Sequence, residues 1–318
     1  LIPFFSRRIG ISAGELVPLL GGARLTGRAG DYTLGLLSLQ VGESEQIPST
    51  NYSVFRLRRD VWRKSEIGGI LINKQDVEGH FNRTFGADAN FTFLDFMNIS
   101  SFLLKTSSPS IHQKDMAGYI RLNWRDPRWT LRGSHLTIQD NVNPAVGFVP
   151  RKGIRKSTGQ LAYRSRPGER ISSVREFEPL INIDYITDQD NLLETRILEG
   201  RLTTRFQNGG SVWSSVQSHF ERLTEPFAIR SDQHIPVGDY RFHTWILSLS
   251  SDPSRLFSGD VRVTTGDFFD GDRNSFRSTA RFQQPGLRAE VSWQHDDVRL
   301  PLGSFDTNLL ATRVTYSF

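Results

Sequence analysis

No cysteine occurs among the 318 residues. That excludes a disulfide framework, a thiolate nucleophile and a zinc–thiolate site. No apolar run approaches the roughly 18 to 20 residues that a membrane-crossing helix needs. The chain opens on Leu1, with no charged segment leading into an apolar one, so no signal peptide is read. Net charge is +5, with arginine far outnumbering lysine, but the charges are spread singly and no basic cluster marks a nucleic-acid footprint. None of these absences touches a membrane β-barrel, in which only every second residue faces lipid.

What the sequence does have is alternation. In "RTFGADANFTFLD", Phe85, Ala87, Ala89, Phe91 and Phe93 share one face while Thr84, Gly86, Asp88, Asn90 and Thr92 share the other. The same period sets Phe276, Ala280 and Phe282 against Arg277, Thr279 and Arg281, and Leu287, Ala289, Val291 and Trp293 against Arg288, Glu290, Ser292 and Gln294. Val212, Val216 and Phe220 alternate with Trp213, Gln217 and His219 in the same way. The closing "LLATRVTYSF" puts Leu310, Thr312, Val314, Tyr316 and Phe318 on one face.

About seventeen such segments are predicted as strands, at 17–29, 31–41, 51–61, 65–75, 83–94, 98–106, 115–125, 129–139, 155–166, 173–186, 193–207, 211–223, 239–250, 256–267, 274–283, 287–296 and 307–318. Odd strands are followed by short turns such as "RAGD", "WRKS", "QNGG" and "QQPG". Even strands are mostly followed by longer connections: "GESEQIPSTN", "TSSPSIHQKD", "NVNPAVGFVPRKGI", "LTEPFAIRSDQHIPVGD" and "DVRLPLGSFD". Short turns at one end and long loops at the other are the habit of bacterial outer-membrane barrels, with the short turns on the periplasmic side. The expected fold is therefore an all-β transmembrane antiparallel barrel occupying residues 1–318 as one domain. Its place is the bacterial outer membrane, with lipid, lipopolysaccharide and the barrel-assembly machinery as partners. An odd strand number cannot close antiparallel, so the chain is expected to lack at least one upstream strand, leaving the edges of the first and last strands open or covered by other polypeptide.

The polar face is rich in arginine. The register predicts Arg56, Arg58, Arg121, Arg201, Arg205, Arg241, Arg262, Arg277, Arg281, Arg288 and Arg313 inward, with fewer acids, among them Asp60, Asp88, Glu199 and Glu290. Planar guanidinium forks suit carboxylate or phosphate, so one reading is an anion-favouring lumen; the other is an internal lattice of ion pairs. "DFFDGDRNS" offers Asp270, Asp272 and Asn274 at alternate positions, but the glycine and bidentate glutamate of a calcium loop are missing, and a tight hairpin explains it better. The loop acids Asp184, Asp188 and Asp190 read as solvated. Of the histidines, His80, His112, His135, His219, His234, His243 and His295, none lies in a zinc-protease motif, and no nucleophile elbow occurs. His219 and His243 are placed together on the polar face. No catalytic residue, metal or cofactor is assigned. Trp62, Trp124 and Trp129 flank short turns, where an aromatic girdle belongs. Trp213 and Trp245 suit either a girdle or sugar stacking.

The stretches "FFSRRIG", "LLGGARLTGRAGDYTLGLL", "NPAVGFVPRKGIRK", "SSDPSRLFSGDVRVTTGDFFDGDR" and "FDTNLLATRVTYSF", in that order, resemble a bacterial outer-membrane barrel family catalogued as a domain of unknown function. The resemblance implies, in the longer protein, a preceding β-sandwich similar to carbohydrate-binding family nine and a downstream segment whose strands continue past "TRVTYSF". The expected function is a pore or transporter for small anionic or sugar-like solutes, or the membrane anchor of a glycan-binding domain. A membrane-associated glycan hydrolase and a structural barrel binding other envelope proteins are the alternatives.

Overall fold

A computed structural model describes residues 1–12, 15–43, 48–109, 111, 113–231 and 233–317. The expectations for His112 and Phe318 fall outside them. Apart from 3-10 turns at Ser6–Arg8 and Gly168–Ile171, the described residues form no helix.

Seventeen strands make one sheet: β1 (Leu19–Ala29), β2 (Tyr32–Val41), β3 (Thr50–Trp62), β4 (Ser65–Asp76), β5 (Phe81–Phe93), β6 (Met97–Ser107), β7 (Met116–Arg125), β8 (Trp129–Ile138), β9 (Ile154–Tyr163), β10 (Val174–Asp188), β11 (Leu193–Phe206), β12 (Ser211–Leu223), β13 (Gly238–Ser250), β14 (Phe257–Phe268), β15 (Gly271–Gln284), β16 (Leu287–Leu300) and β17 (Gly303–Tyr316). Each falls on a segment marked by the alternation. The hydrogen-bonded strand order is that of a closed barrel.

The loop sorting is looser than expected. "DVRLPLGSFD" is not a long connection: β16 runs to Leu300 and β17 starts at Gly303, leaving Pro301 and Leu302 as the turn. β14 and β15 likewise meet through Phe269 and Asp270, with Phe268 opposite Gly271, so "DFFDGDRNS" is a tight hairpin and its acids are strand and turn residues. These strands run beyond the roughly 9 to 11 residues needed to cross a bilayer, which absorbs sequence that reads as loop.

Contacts divide the chain into two units. The first comprises Leu1–Trp124, Arg132–Ser157 and Thr187–Leu192; the second comprises Arg125–Leu131, Thr158–Ile186 and Leu193–Phe318. In the first, Leu25, Leu36, Phe55, Leu71 and Phe85 stand opposite one another in a continuous row over β1 to β5. All five are exposed. In the second, Val212, Leu249, Val261, Ser278, Trp293 and Leu310 make the corresponding row over β12 to β17. Of the second row, Leu249, Trp293 and Leu310 are exposed, and largely apolar rows of this kind belong to a wall that faces hydrocarbon.

Aromatic pairs border that wall at the short turns. Trp62 and Phe91 lie 5.6 Å apart, Phe96 and Trp124 4.5 Å, and, in the second unit, Trp129 and Tyr163 4.7 Å and Phe257 and Phe282 5.2 Å. Trp62 reaches the apolar face through a register shift between Asp60 and Trp62, a bulge that re-aims one side chain. Replacing Leu71 or Val261 by lysine is expected to destabilise the barrel by about 2 to 4 kcal/mol. Equilibrium unfolding in lipid vesicles measures it, with the same change at exposed Arg63 in the β3–β4 turn as control.

Candidate functional site

The opposite face carries the chemistry. In the first unit, Arg58, Gly68, Asp88 and Phe102 stand in one row across β3 to β6. Arg56 grips Asp88 through both carboxylate oxygens, with Nη2 to Oδ2 at 2.8 Å. This bridge passes over Gly68, where a Cβ would lie 3.0 Å from Arg56 Nη2 and 3.1 Å from Asp88 Oδ2. Any larger residue there would push the fork aside. Arg58 bonds Glu66 at 3.3 Å, and Arg28 bonds Asp60 at 2.6 Å. Arg121 shares this face, opposite Ser100, and meets no carboxylate among the described residues.

Asp88→Asn keeps the shape and removes the charge. Both partners are about 30% exposed, so water screens the pair and the expected loss is only about 1 kcal/mol. A small fall in the urea midpoint and a gain in anion preference, as Arg56 is freed, are the readouts.

Above this cluster the 139–153 connection lies on the polar face and is tied there by side chains. Asn82 Nδ2 donates to the Asn143 carbonyl at 2.9 Å, and the Ala145 N–H donates to Asn82 Oδ1 at 3.0 Å. The Asn143 N–H donates to Thr106 Oγ1, and Gln189 Nε2 holds the carbonyls of Ile138 and Ile154 at 3.0 Å each, clamping the two ends of the connection. The N-terminal segment lies along it: Ile2 and Phe148 exchange both backbone hydrogen bonds, and the Phe5 N–H donates to Val146 O at 2.6 Å. Gly147 permits the approach, since a Cβ there would come within 2.5 Å of Ile2 O and 2.7 Å of Pro3 O.

Ile9, Val17 and Val146 thereby cover Val41, Tyr52, Val54 and Ile72, with Phe4, Leu37, Leu39 and Ile70 packed around them. Where the polar face turns apolar, the chain buries it. The sequence pattern marks neither the N-terminal segment nor the connection as an inward element. The available signal is the apolar character of Leu37, Leu39, Tyr52, Val54, Ile70 and Ile72, which alternation places on the supposedly wet face.

In the second unit Arg201, Arg205, Arg262, Arg277, Arg281, Arg288, Arg313, Glu199 and Glu290 share the polar face. Several are neutralised. Arg281 bridges Asp260 at 2.8 Å and Glu290 at 2.9 Å, Arg201 bonds Glu199 at 2.6 Å, and Arg205 bonds Glu176 at 2.6 Å. Others are not. Arg262 and Arg277 stand directly opposite each other, Arg277 holding only Gln294 and Arg262 lying over the Trp213 ring at 5.1 Å. Arg201 covers the same indole at 4.4 Å. Arg288 meets only Gln283, and Arg313 stands opposite Glu290.

Two expectations are corrected here. Arg241 lies opposite Phe220 and projects over its ring on the apolar face, alongside the Arg222–Asp239 pair. The polar-face neighbour is Phe242, stacked on His219 at 4.7 Å. His219 therefore pairs with Phe242, and His243 with Ser218, which puts the two histidines on opposite faces. The alternation in "YRFHTWIL" sets charged and aromatic residues on both parities, so it does not fix the register by itself. Trp245 is on the apolar face, bonded to Ser214 Oγ at 2.8 Å. Trp213 is polar-facing, its ring engaged by two guanidiniums.

The sequence matches no family model and no curated relative. Among solved structures it is similar to Pseudomonas aeruginosa OccK5 (OpdH), at 11% identity and TM-score 0.48 over 90% of this chain and 92% of that one. Acinetobacter baumannii OccAB3 gives 11% identity and TM-score 0.49 over the same shares. The outer membrane protein opdK from Pseudomonas aeruginosa gives 12% identity and TM-score 0.48, again over 90% and 92%. These are likenesses of chain path alone. A closed sheet with an exposed apolar wall, bordered by aromatic pairs, is the architecture of an outer-membrane barrel.

Proposed function

We propose that the chain forms a pore for small anionic solutes in the bacterial outer membrane, its arginine-rich polar face lining an aqueous path. The observation that carries this is the set of arginines without an ion pair: Arg121, Arg262, Arg277 and Arg288 bond no carboxylate among the described residues. A purely structural lattice would not set Arg262 opposite Arg277, because like charges opposite each other in a ladder are destabilising. Lined with uncommitted guanidiniums, a water-filled path carries positive potential and concentrates anions.

Sugar-like solutes are less well served, since Trp213, the polar-facing tryptophan, already has arginines on its ring. Lipid and lipopolysaccharide against the apolar wall, and the barrel-assembly machinery during insertion, are the partners such a pore requires. The resemblance to the barrel family with a glycan-binding domain adds the proposal that the pore serves as that domain's anchor.

Purified protein in planar bilayers tests the reading. Discrete conductance steps with a zero-current potential of anion-selective sign are expected in a potassium chloride gradient. Cation selectivity, or no steps from protein that is folded by its heat-shifted electrophoretic mobility, would defeat it.

A further inference from the structure

The lipid-facing wall of the first unit ends differently on its two sides. Strands β1–β2, β3–β4 and β5–β6 are joined across residues 30–31, 63–64 and 94–96, whereas β2–β3, β4–β5 and β6–β7 are joined across 42–49, 77–80 and 108–115. The longer set marks the outer side. At the short-turn end the wall stops at the ring pairs Trp62–Phe91 and Phe96–Trp124. At the long-loop end it stops at hydroxyls, amides and cations.

Ser38, Ser53, Asn73, Arg83 and Ser107 stand opposite one another across β2 to β6, one step beyond the apolar row of Leu36, Phe55, Leu71 and Phe85. Gln40, Asn51 and Gln75 make the next step. Arg83 has no carboxylate partner among the described residues: its Nε donates to Asn73 Oδ1 at 3.1 Å, and the guanidinium lies over the Phe81 ring at 4.4 Å. Lys105 is its diagonal neighbour on the same face, since Phe85 pairs with Lys105 and Arg83 with Ser107. The Lys105 Nζ comes to 3.9 Å from Asp115 Oδ2, beyond hydrogen-bond distance, so a stem rooted in the apolar row carries its charge toward the loops. Asp76, at the adjacent turn, is turned in on itself, accepting from the N–H groups of Glu78 and His80 and lying 3.0 Å from the His80 ring. Where these rows meet, a groove of about 770 Å³ opens on the wall, its lining including Leu25, Phe55, Leu71, Asn73, Arg83 and Phe85.

We propose that this groove is a docking site for lipopolysaccharide, with acyl chains along Leu25, Phe55, Leu71 and Phe85 and a sugar phosphate on Arg83 and Lys105. One cation free of any acid and a second only loosely opposed suit a phosphate monoester, which carries about −1.5 to −2 charges at pH 7. The flanking amides and hydroxyls suit the sugar that bears it. A phospholipid, with a single phosphodiester charge and no phosphorylated sugar, meets only half of this chemistry. The site rests on the reading that lipopolysaccharide lies against the wall, and it is independent of conduction.

Native mass spectrometry of the full detergent-folded chain tests the site, with bisphosphorylated lipid A, its dephosphorylated form and phosphatidylglycerol as probes. Bisphosphorylated lipid A is expected to bind about tenfold or more tighter than the dephosphorylated form. The double variant Arg83→Gln, Lys105→Gln should lose that margin while binding the dephosphorylated form as wild type does. Arg59→Gln, which removes an outward arginine lying over Tyr32 near the short turns, should keep the margin whole. Heat-shifted electrophoretic mobility shows that each variant is folded. Equal binding of the two lipid A forms by wild type, an undiminished margin in the double variant, or phosphatidylglycerol bound as tightly as bisphosphorylated lipid A would overturn the site. Lipid A bound alike by wild type and double variant keeps lipopolysaccharide against the wall and overturns the groove alone; lipid A bound in no form overturns both. Conductance of the same protein decides the pore separately.

Discussion

Replacing Arg262 and Arg277 together by glutamate is expected to drive the zero-current potential from the anion-selective to the cation-selective side at low salt. The two residues are opposite partners in the β14–β15 ladder, and neither is tied to a carboxylate. Their charge therefore projects into the path instead of being neutralised within the wall. The double change alters the local charge by four units. The neighbouring cation cannot compensate, because Arg281 is already held by Asp260 and Glu290. The effect must fade with salt: the screening length falls from about 10 Å at 0.1 M to about 3 Å at 1 M. The milder Arg262→Gln, Arg277→Gln variant should lie between, and should be slightly more stable than wild type, since removing opposed like charges relieves roughly 0.2 to 1 kcal/mol. A variant that inserts and conducts with unchanged selectivity at low salt would show that other groups set the field. Loss of anion preference with gain of stability would mean that the repulsion is kept for function.

The strands were legible because a membrane wall enforces period two more strictly than a soluble core does: a slip of one residue would put Arg277 and Arg281 into lipid and Phe276 and Phe282 into water. Loop lengths were less legible, because β14 to β17 continue beyond the bilayer, where alternation is no longer imposed and "DVRLPLGSFD" reads as loop. The face of Arg241 is misleading for the same reason: it lies near the start of β13, where a charge on the outer side costs little. Which arginines are neutralised could not be read at all. Arg56 meets Asp88, 32 residues away, and Arg205 meets Glu176, 29 residues away, pairings set by strand order and stagger that no local pattern encodes. The 139–153 connection looks like an outward loop because glycine and proline give it turn chemistry; its inward course depends on Asn82, Thr106 and Gln189, each of which reads as an ordinary polar strand or turn residue.

That connection is the basis of the second large effect. Shortening it to a two-residue turn between Gln139 and Gly153 is expected to raise single-channel conductance several-fold. It would remove Val142 and Val146, which are almost wholly buried. It would also remove the backbone partners of Ile2 and Phe5, so the N-terminal segment loses its seat as well. The exposed patch of Val41, Tyr52, Val54 and Ile72 would then face water, and part of the gain in width comes at a cost in stability of a few kcal/mol. Two point variants separate width from collapse. Asn82→Ala removes both side-chain bonds to the connection and leaves the apolar cluster, so conductance should become noisier with little change in its mean. Gly147→Val forces a side chain against two backbone carbonyls, displacing the N-terminal segment at an overpacking cost of about 1 to 3 kcal/mol, and should raise the mean conductance part of the way. Shortened protein that is folded and conducts no more than wild type would show that the narrowest point lies elsewhere, and would shift attention from the first unit to the arginine rows of the second.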